Sequence, residues 1–342
     1  MQALILAGGQ GTRLRPLTES IPKPVLPLAG RPHIAYVIDW LESHGVHDVV
    51  VSCGFLAEEV RDALDGITGP RVRFATEPEP RGTAGAIRFA ADQLGDRFLV
   101  LNGDVLCDLD LTAMVAQHES TGARATIALF PVDDPSAYGL VRRSEDGAIT
   151  EFLEKPDPAE IDSDEINAGA YFLERSVLDL IEPGVAVSIE REVFPRLVGE
   201  GLYGRRLDGY WMDIGTPDRY LQASWDILEG RVETATGQLV GDGGLLVDEG
   251  AEVHPDARLA SPAMVEAGTT VGSGAAVGPR AVVGPECSIA EGASVSGSVL
   301  LSGCTIGAGA KLDGAILSAE AVVAPGAEVE AGAIVAAGER VG

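Results

Sequence analysis

The first stretch of this 342-residue chain whose residue types and spacing could do chemistry is Leu6-Ala-Gly-Gly-Gln-Gly-Thr-Arg-Leu-Arg-Pro-Leu-Thr18, followed by Pro22-Lys23-Pro24. Glycines after a short apolar run let backbone N–H groups approach phosphate oxygens, because no Cβ intervenes. Arg13, Arg15 and Lys23 add three cations. Two common glycine motifs do not fit. The dinucleotide pattern would read Gly9-Gln-Gly11-Thr-Arg-Leu14, with leucine in place of the third glycine, and no Gly-Lys-Ser/Thr occurs. An ordinary strand-to-helix turn accounts for the glycines but not for the cations. In a chain of formal net charge −27, the cluster predicts a polyphosphate site. Lysine is scarce, with only Lys23, Lys155 and Lys311 present, which draws attention to the first two.

Further blocks follow in order: Glu77-Pro-Glu-Pro-Arg-Gly-Thr-Ala-Gly85, Leu101-Asn-Gly-Asp104, Glu154-Lys155-Pro156, Ile166-Asn-Ala-Gly169 and Tyr210-Trp-Met-Asp-Ile-Gly-Thr-Pro217. With the glycine loop and Pro22-Lys23-Pro24, these blocks resemble the sugar-1-phosphate nucleotidylyltransferases across essentially the whole chain. The resemblance implies that a nucleoside triphosphate and a sugar 1-phosphate give a nucleoside diphosphate sugar and pyrophosphate. It implies that Asp104 and Asp213 hold Mg²⁺, that Arg13 grips the leaving phosphates and that Lys23 binds the triphosphate. Lys155 would pair with the sugar's phosphate. Glu154 would accept from sugar hydroxyls, with Asn167 and the backbone of Gly139 beside it, Tyr138 being a further candidate. Leu6, Ala7, Gly8, Gly9, Gly11, Thr12, Gly85, Asn102 and Gly103 would line the nucleotide. Arg81 departs from the apolar residue usual before Gly-Thr-Ala-Gly. Asp108 and Asp110 compete for the metal role but are expected to cap the helix that follows.

The nucleophile in such a reaction is a phosphate oxygen whose second pKa lies near ~6, so no histidine base is needed. Accordingly His33, His44, His47, His118 and His254 all fall outside the blocks. What the reaction needs is two polyanions held in line and charge neutralised on the departing pyrophosphate.

These residues must be positioned by a framework. Leu4–Ala7, Asp48–Cys53, Arg71–Ala75 and Phe98–Leu101 read as strands. Ile34–Ser43, Glu58–Leu64 and Ala84–Leu94 read as helices between them. That order predicts a Rossmann-like, mostly parallel α/β sheet with helices on both faces. Strands are also expected at Thr126–Phe130, Ala168–Leu173 and Leu202–Arg206, and a helix at Asp218–Leu228. Asp104 then follows a strand, at the edge where such sheets bind ligands.

Beyond this, aliphatic residues recur every six positions: Val247, Val253, Leu259, Val265, Val271, Val277, Val283, Ile289 and Val295. Two 11-residue steps lead to Ile306 and Leu312, then to Val323, Val329, Val335 and Val341. A hexapeptide period predicts a left-handed parallel β-helix of about five coils, each long step being a hexapeptide pair one residue short. The expected division is 1–230 for a catalytic domain and 245–342 for the β-helix, whose open ends and flat faces suit homo-oligomer assembly.

Composition narrows the rest. The sequence has 25 Lys+Arg against 52 Asp+Glu, which disfavours coating nucleic acid or an anionic membrane. No apolar run approaches a membrane span, and the N-terminus lacks the basic n-region of a signal peptide. Cys53, Cys107, Cys287 and Cys304 show no metal spacing and read as reduced thiols, so a cytoplasmic location is expected. Within the family, the Gly82–Gly85, Ile166–Gly169 and Trp211–Gly215 blocks resemble most the GDP-mannose-forming branch, favouring GTP and mannose 1-phosphate. Glucose 1-phosphate with dTTP or UTP is the alternative. A bifunctional acyltransferase or a non-catalytic regulatory subunit are the readings from other classes.

Overall fold

Runs such as Leu4-Ile-Leu6 and Val49-Val-Val51, apolar without alternation, form strands covered on both faces. The computed structural model describes residues 1–54, 56–241 and 243–342. In chain order come β1 (Gln2–Leu6), α1 (His33–Ser43), β2 (Asp48–Cys53), α2 (Ala57–Leu64), β3 (Arg71–Thr76), α3 (Gly82–Phe89) and β4 (Arg97–Asn102). There follow α4 (Leu111–Thr121), β5 (Ala125–Pro131), β6 (Gly139–Arg143), β7 (Ile149–Glu154), β8 (Glu165–Glu174), β9 (Leu202–Arg206) and α5 (Pro217–Leu228). The chain divides into two compact units, Met1–Gly9 with Val37–Trp211, and Gln10–Tyr36 with Met212–Gly342.

The first unit is built on one sheet of order β7-β6-β8-β4-β1-β2-β3, with β5 pairing both β8 and β9. Strands β1, β2, β3 and β4 run parallel, as expected. Strand β8 returns antiparallel against β4 and β5. The sequence reading lacked the antiparallel pair β6–β7, whose short runs mix apolar residues with Arg142, Arg143 and Glu151. Leu4, Val50, Phe98, Val100, Tyr171 and Phe194 share one core. Each such side chain, once buried, contributes roughly 1.5–3 kcal/mol.

In the second unit the hexapeptide period becomes three parallel sheets of six, six and five short strands. Val265 stacks under Val283, an 18-residue coil. Val283 then stacks under Leu300, and Leu300 under Leu317, both 17-residue coils. Leu300 and Leu317 are therefore the inward residues inside the two 11-residue steps, each face shortened by one residue. The stack carries a continuous core that includes Val277, Val295, Ile306, Leu312 and Val323. At its side, Arg280 Nε lies 2.5 Å from Glu229 Oε1 and its guanidinium 5.3 Å from the Trp225 ring centre. Tyr220 of α5 donates to the carbonyl of Pro27.

Candidate active site

In the first unit, strand ends bring the expected nucleotide-side residues together. The amide of Ala7 donates to Ser52 O at 2.7 Å, and that of Gly103 to Leu6 O at 2.9 Å. A Cβ on Gly103 would lie 2.7 Å from that same carbonyl, so only glycine permits the approach. Asn102 pairs in register with Leu6, and its Oδ1 is buried without a protein partner. A buried acceptor of this kind next to Leu6 can take a hydrogen bond from a ligand hydroxyl or amine. Asp104 follows, half-buried in the turn after β4. Gly8 is half-buried and Gly9 exposed. Gly85 lies within α3; its amide donates to Val187 O at 3.2 Å, and a Cβ there would meet Val185 O at 2.8 Å.

The expected sugar-side residues gather on β7, β6 and β8. Glu154 stands opposite Gly139 in the β6–β7 register, and a Cβ on Gly139 would lie 3.1 Å from Glu154 Oε2. Burial, reinforced by the nearby Glu190 carboxylate, pushes the Glu154 carboxyl above its ordinary range, while Lys155 and Arg191 pull it down. Lys155 is exposed and adopts φ +55°, a conformation costly for a side-chain-bearing residue and held by its amide donating to Tyr138 O at 2.9 Å. Asn167 sits where the β8–β5 register slips. Its Oδ1 accepts from the Gly169 amide and its Nδ2 donates to the Tyr171 hydroxyl, both at 2.9 Å. Trp211 donates to Ala168 O at 2.8 Å, stacks on Phe130 at 5.8 Å and meets Tyr138 edge-on at 5.3 Å.

The second unit gathers the cations. Gly11, at φ +60°, starts the single turn Thr12–Leu14 and leaves Thr12 and Arg13 exposed. Lys23 is only 8% exposed, with Nζ 3.8 Å from Asp213 Oδ1. Arg219 of α5 holds the other oxygen, Nη1 to Oδ2 being 3.2 Å. A Cβ on Gly215 would lie 2.6 Å from Arg13 Nη2 and 3.0 Å from Asp213 Oδ2. Residues separated by some 200 positions thus share one small region: Arg13, Lys23, Asp213 and Arg219.

The profile of the nucleotidyl transferase family matches residues 2–230. This chain belongs to that family. The profile of the GMPPB C-terminal domain matches residues 259–342. The family's relatives include the mannose-1-phosphate guanylyltransferase of Mycobacterium tuberculosis, 40% identical over 237 residues, covering 67% of this chain and 65% of that protein. The mannose-1-phosphate guanyltransferase of Schizosaccharomyces pombe is 42% identical over 230 residues, covering 65% of this chain and 62% of that one. The match therefore spans less than two thirds of these relatives' length. Among solved structures, HddC from Yersinia pseudotuberculosis is 31% identical, with a TM-score of 0.58 over 65% of this chain and 97% of that one. A second structure of HddC, complexed with GMP-PN, has a TM-score of 0.56 at 30% identity over the same shares.

Several residues in or near the family's blocks were given no role of their own by the sequence. Glu77 is buried; it accepts from Ser52 Oγ at 2.8 Å, and burial pushes its carboxyl up. Its Oε1 lies 3.5 Å from where a Gly8 side chain would begin, so this carboxylate abuts the glycine loop. Arg219 and Trp211 were also passed over, though Arg219 comes six residues after Asp213, the spacing of a strand end feeding a helix. Asp110 caps α4 as expected, accepting from Ala113 N at 3.0 Å. Asp108 does not cap; it accepts from the Tyr210 amide at 2.6 Å instead. Arg81 turns back over Phe89, 4.9 Å from the ring centre. Among the described residues no group of three or more His, Cys, Asp and Glu side chains could hold a metal. No helix among them is long and apolar enough to cross a membrane.

Proposed function

We propose that this chain transfers the guanylyl group of GTP to mannose 1-phosphate, releasing pyrophosphate and forming GDP-mannose. The observation that carries the reading is the pair of relatives, 40% and 42% identical across the matched region, that bear this activity in their names. The GMP-PN complex of HddC supports a guanine nucleotide. So does Glu77, since a carboxylate offers only acceptors and the Watson–Crick edge of guanine offers the N1–H and N2–H₂ donors.

In this reading an oxygen of the sugar phosphate attacks the α-phosphorus, and the bond from that phosphorus to the β-phosphate oxygen breaks. Lys155 neutralises the incoming phosphate, while Glu154 and Asn167 hold the sugar hydroxyls. Arg13 and Lys23 receive the charge that grows on the departing pyrophosphate, which is where a positioned cation lowers the barrier most. Asp104 and Asp213 are half-buried carboxylates, the hard oxygen donors that suit Mg²⁺ held by one or two side chains plus substrate phosphates. Bound there, the ion would screen the phosphates and hold them in line. Lys23 and Arg219 pair with Asp213. We assign the chemistry to residues 1–230 and homo-oligomer assembly to the β-helix of 245–342.

The test is a panel of GTP, ATP, UTP and dTTP against mannose and glucose 1-phosphates, followed by pyrophosphate release. The highest kcat/KM is expected for GTP with mannose 1-phosphate. A preference for dTTP or UTP with glucose 1-phosphate would overturn the assignment.

A further inference from the structure

The side chain of Glu190 stands between the nucleotide-side helix and the sugar-side strand, on the π-helical turn Ile189–Val193. Its Oε2 accepts from Thr83 Oγ1 of α3 and from Ser188 Oγ, each at 2.7 Å. Its Oε1 lies 3.4 Å from the Tyr171 hydroxyl of β8. That hydroxyl in turn accepts from Asn167 Nδ2 at 2.9 Å, and Asn167 Oδ1 accepts from the Gly169 amide at 2.9 Å. At the other end, Thr83 Oγ1 accepts from the Ile189 amide at 2.9 Å. An ionised carboxylate can only accept, so it dictates the sense of every bond in this chain. Thr83 and Ser188 must give their single protons to Glu190, which leaves their lone pairs for the Ile189 and Arg191 amides. Tyr171 gives its proton to Glu190, and its oxygen must then receive from Asn167. Burial, with Glu190 beside it, pushes the Tyr171 hydroxyl well above its ordinary range, so it remains a donor. The outcome is an Asn167 amide whose two ends are fixed.

We propose that Glu190 is a positioning residue: through Tyr171 it holds the Nδ2 end of the Asn167 amide, whose Oδ1 end the Gly169 amide fixes, and so keeps that amide in place for the sugar. The inference rests on the sugar-side role of Asn167 in the reading above. Glu190→Gln keeps the shape but puts an NH₂ where an acceptor is needed. That NH₂ must face either the two hydroxyls or Tyr171, and the hydroxyl at that end of the relay loses the acceptor for its proton. Tyr171 then turns or shifts to find another acceptor, and the bond that holds Asn167 Nδ2 loosens.

The experiment is steady-state pyrophosphate release by wild type, Glu190→Gln, Tyr171→Phe and the double variant, with GTP and mannose 1-phosphate varied separately. Glu190→Gln is expected to raise KM for mannose 1-phosphate about 10-fold, the cost of roughly one mispaired buried hydrogen bond. KM for GTP is expected to move less than about 3-fold. Tyr171→Phe should do the same, and the double variant should be no worse than either single one, because both cut one relay. A general loosening of the fold would instead raise both KM values and lower kcat together. The proposal is overturned by an unchanged mannose 1-phosphate KM in either single variant, or by additive effects in the double one. Should Glu190→Gln fail to fold, Tyr171→Phe, which removes one oxygen, decides alone. A wild type inactive on this pair sinks the functional reading and this inference with it; an active wild type with unaltered variants sinks only the inference.

Discussion

Two of the three lysines form ion pairs with carboxylates in very different surroundings. Lys311 on the β-helix meets Glu328 of the next coil at 2.7 Å, with both side chains 68% exposed. Lys23 in the glycine-rich segment stands 3.8 Å from Asp213, and is only 8% exposed. Judged by distance, the β-helix pair is the better bond. Judged by physics it is the lesser one, since water and salt screen an exposed pair and its flexible side chains lose entropy to form it. The longer pair is sheltered, shares its carboxylate with Arg219, and lies beside Arg13 at Gly215. Lys23 is sheltered, whereas Arg13 beside it is exposed and Arg219 half-buried, so the cluster presents positive charge that a polyanion can reach. A contact's length says little until burial and neighbours are known.

The sharpest way to break the contrast is to remove the carboxylates of the proposed site. Asp104→Asn and Asp213→Asn are each expected to lower kcat about 10³-fold or more, with an unchanged circular dichroism spectrum. Turnover near that of wild type with Mg²⁺ would remove either residue from the metal role. Lys155→Met comes next. It is expected to raise KM for the sugar 1-phosphate roughly 10–100-fold while KM for the nucleotide stays within about 3-fold, as separate titrations of the two substrates would read.

A smaller effect belongs to the β-helix. Burial, with Asp248 adding to it, pushes the Glu266 carboxyl from 4.5 up to about 7. The folded form therefore keeps a proton that the unfolded chain releases first. Stability contributed by this group is complete below pH 4.5, falls as the pH rises toward about 7, and is level above it. Denaturant midpoints should show a fall on the order of 2 kcal/mol across that window, reduced from the full shift because the group is partly solvated. Glu266→Gln should flatten it; an unchanged slope in that variant would place the titration elsewhere.

The two regions also differed in how much the sequence disclosed. The β-helix was legible almost to the residue, because each coil repeats a local rule and an aliphatic side chain must point inward every sixth position. Leu300 and Leu317 slipped past, since each sits five residues after its predecessor on a shortened face, and Val247, the first residue of the register, is 40% exposed instead of inward. The parallel strands β1, β2 and β4 were legible because their buried centres are apolar runs, and β3 because Arg71, Val72, Arg73 and Phe74 alternate. The β6–β7 pair was not, for its buried residues fall in short patches with no strand period, Gly139–Val141 in one strand and Ile149 and Phe152 in the other. That omission hid the cross-strand register that sets Gly139 against Glu154, although both residues were singled out by their motifs. Arg219 and Glu190 escaped for a related reason. Arg219 matters through Asp213. Glu190 matters through Thr83, 107 positions away, a distance over which no local pattern speaks.

The most direct measurement sets the two lysines against each other. Pyrophosphate release from GTP and mannose 1-phosphate would be followed for Lys23→Met and Lys311→Met under identical conditions. The predicted result is a loss in kcat of about 10²–10³-fold for Lys23→Met and wild-type turnover and thermal midpoint for Lys311→Met. Equal turnover in the two variants would contradict the account, because it would mean that the sheltered cation does no more for the reaction than the exposed one.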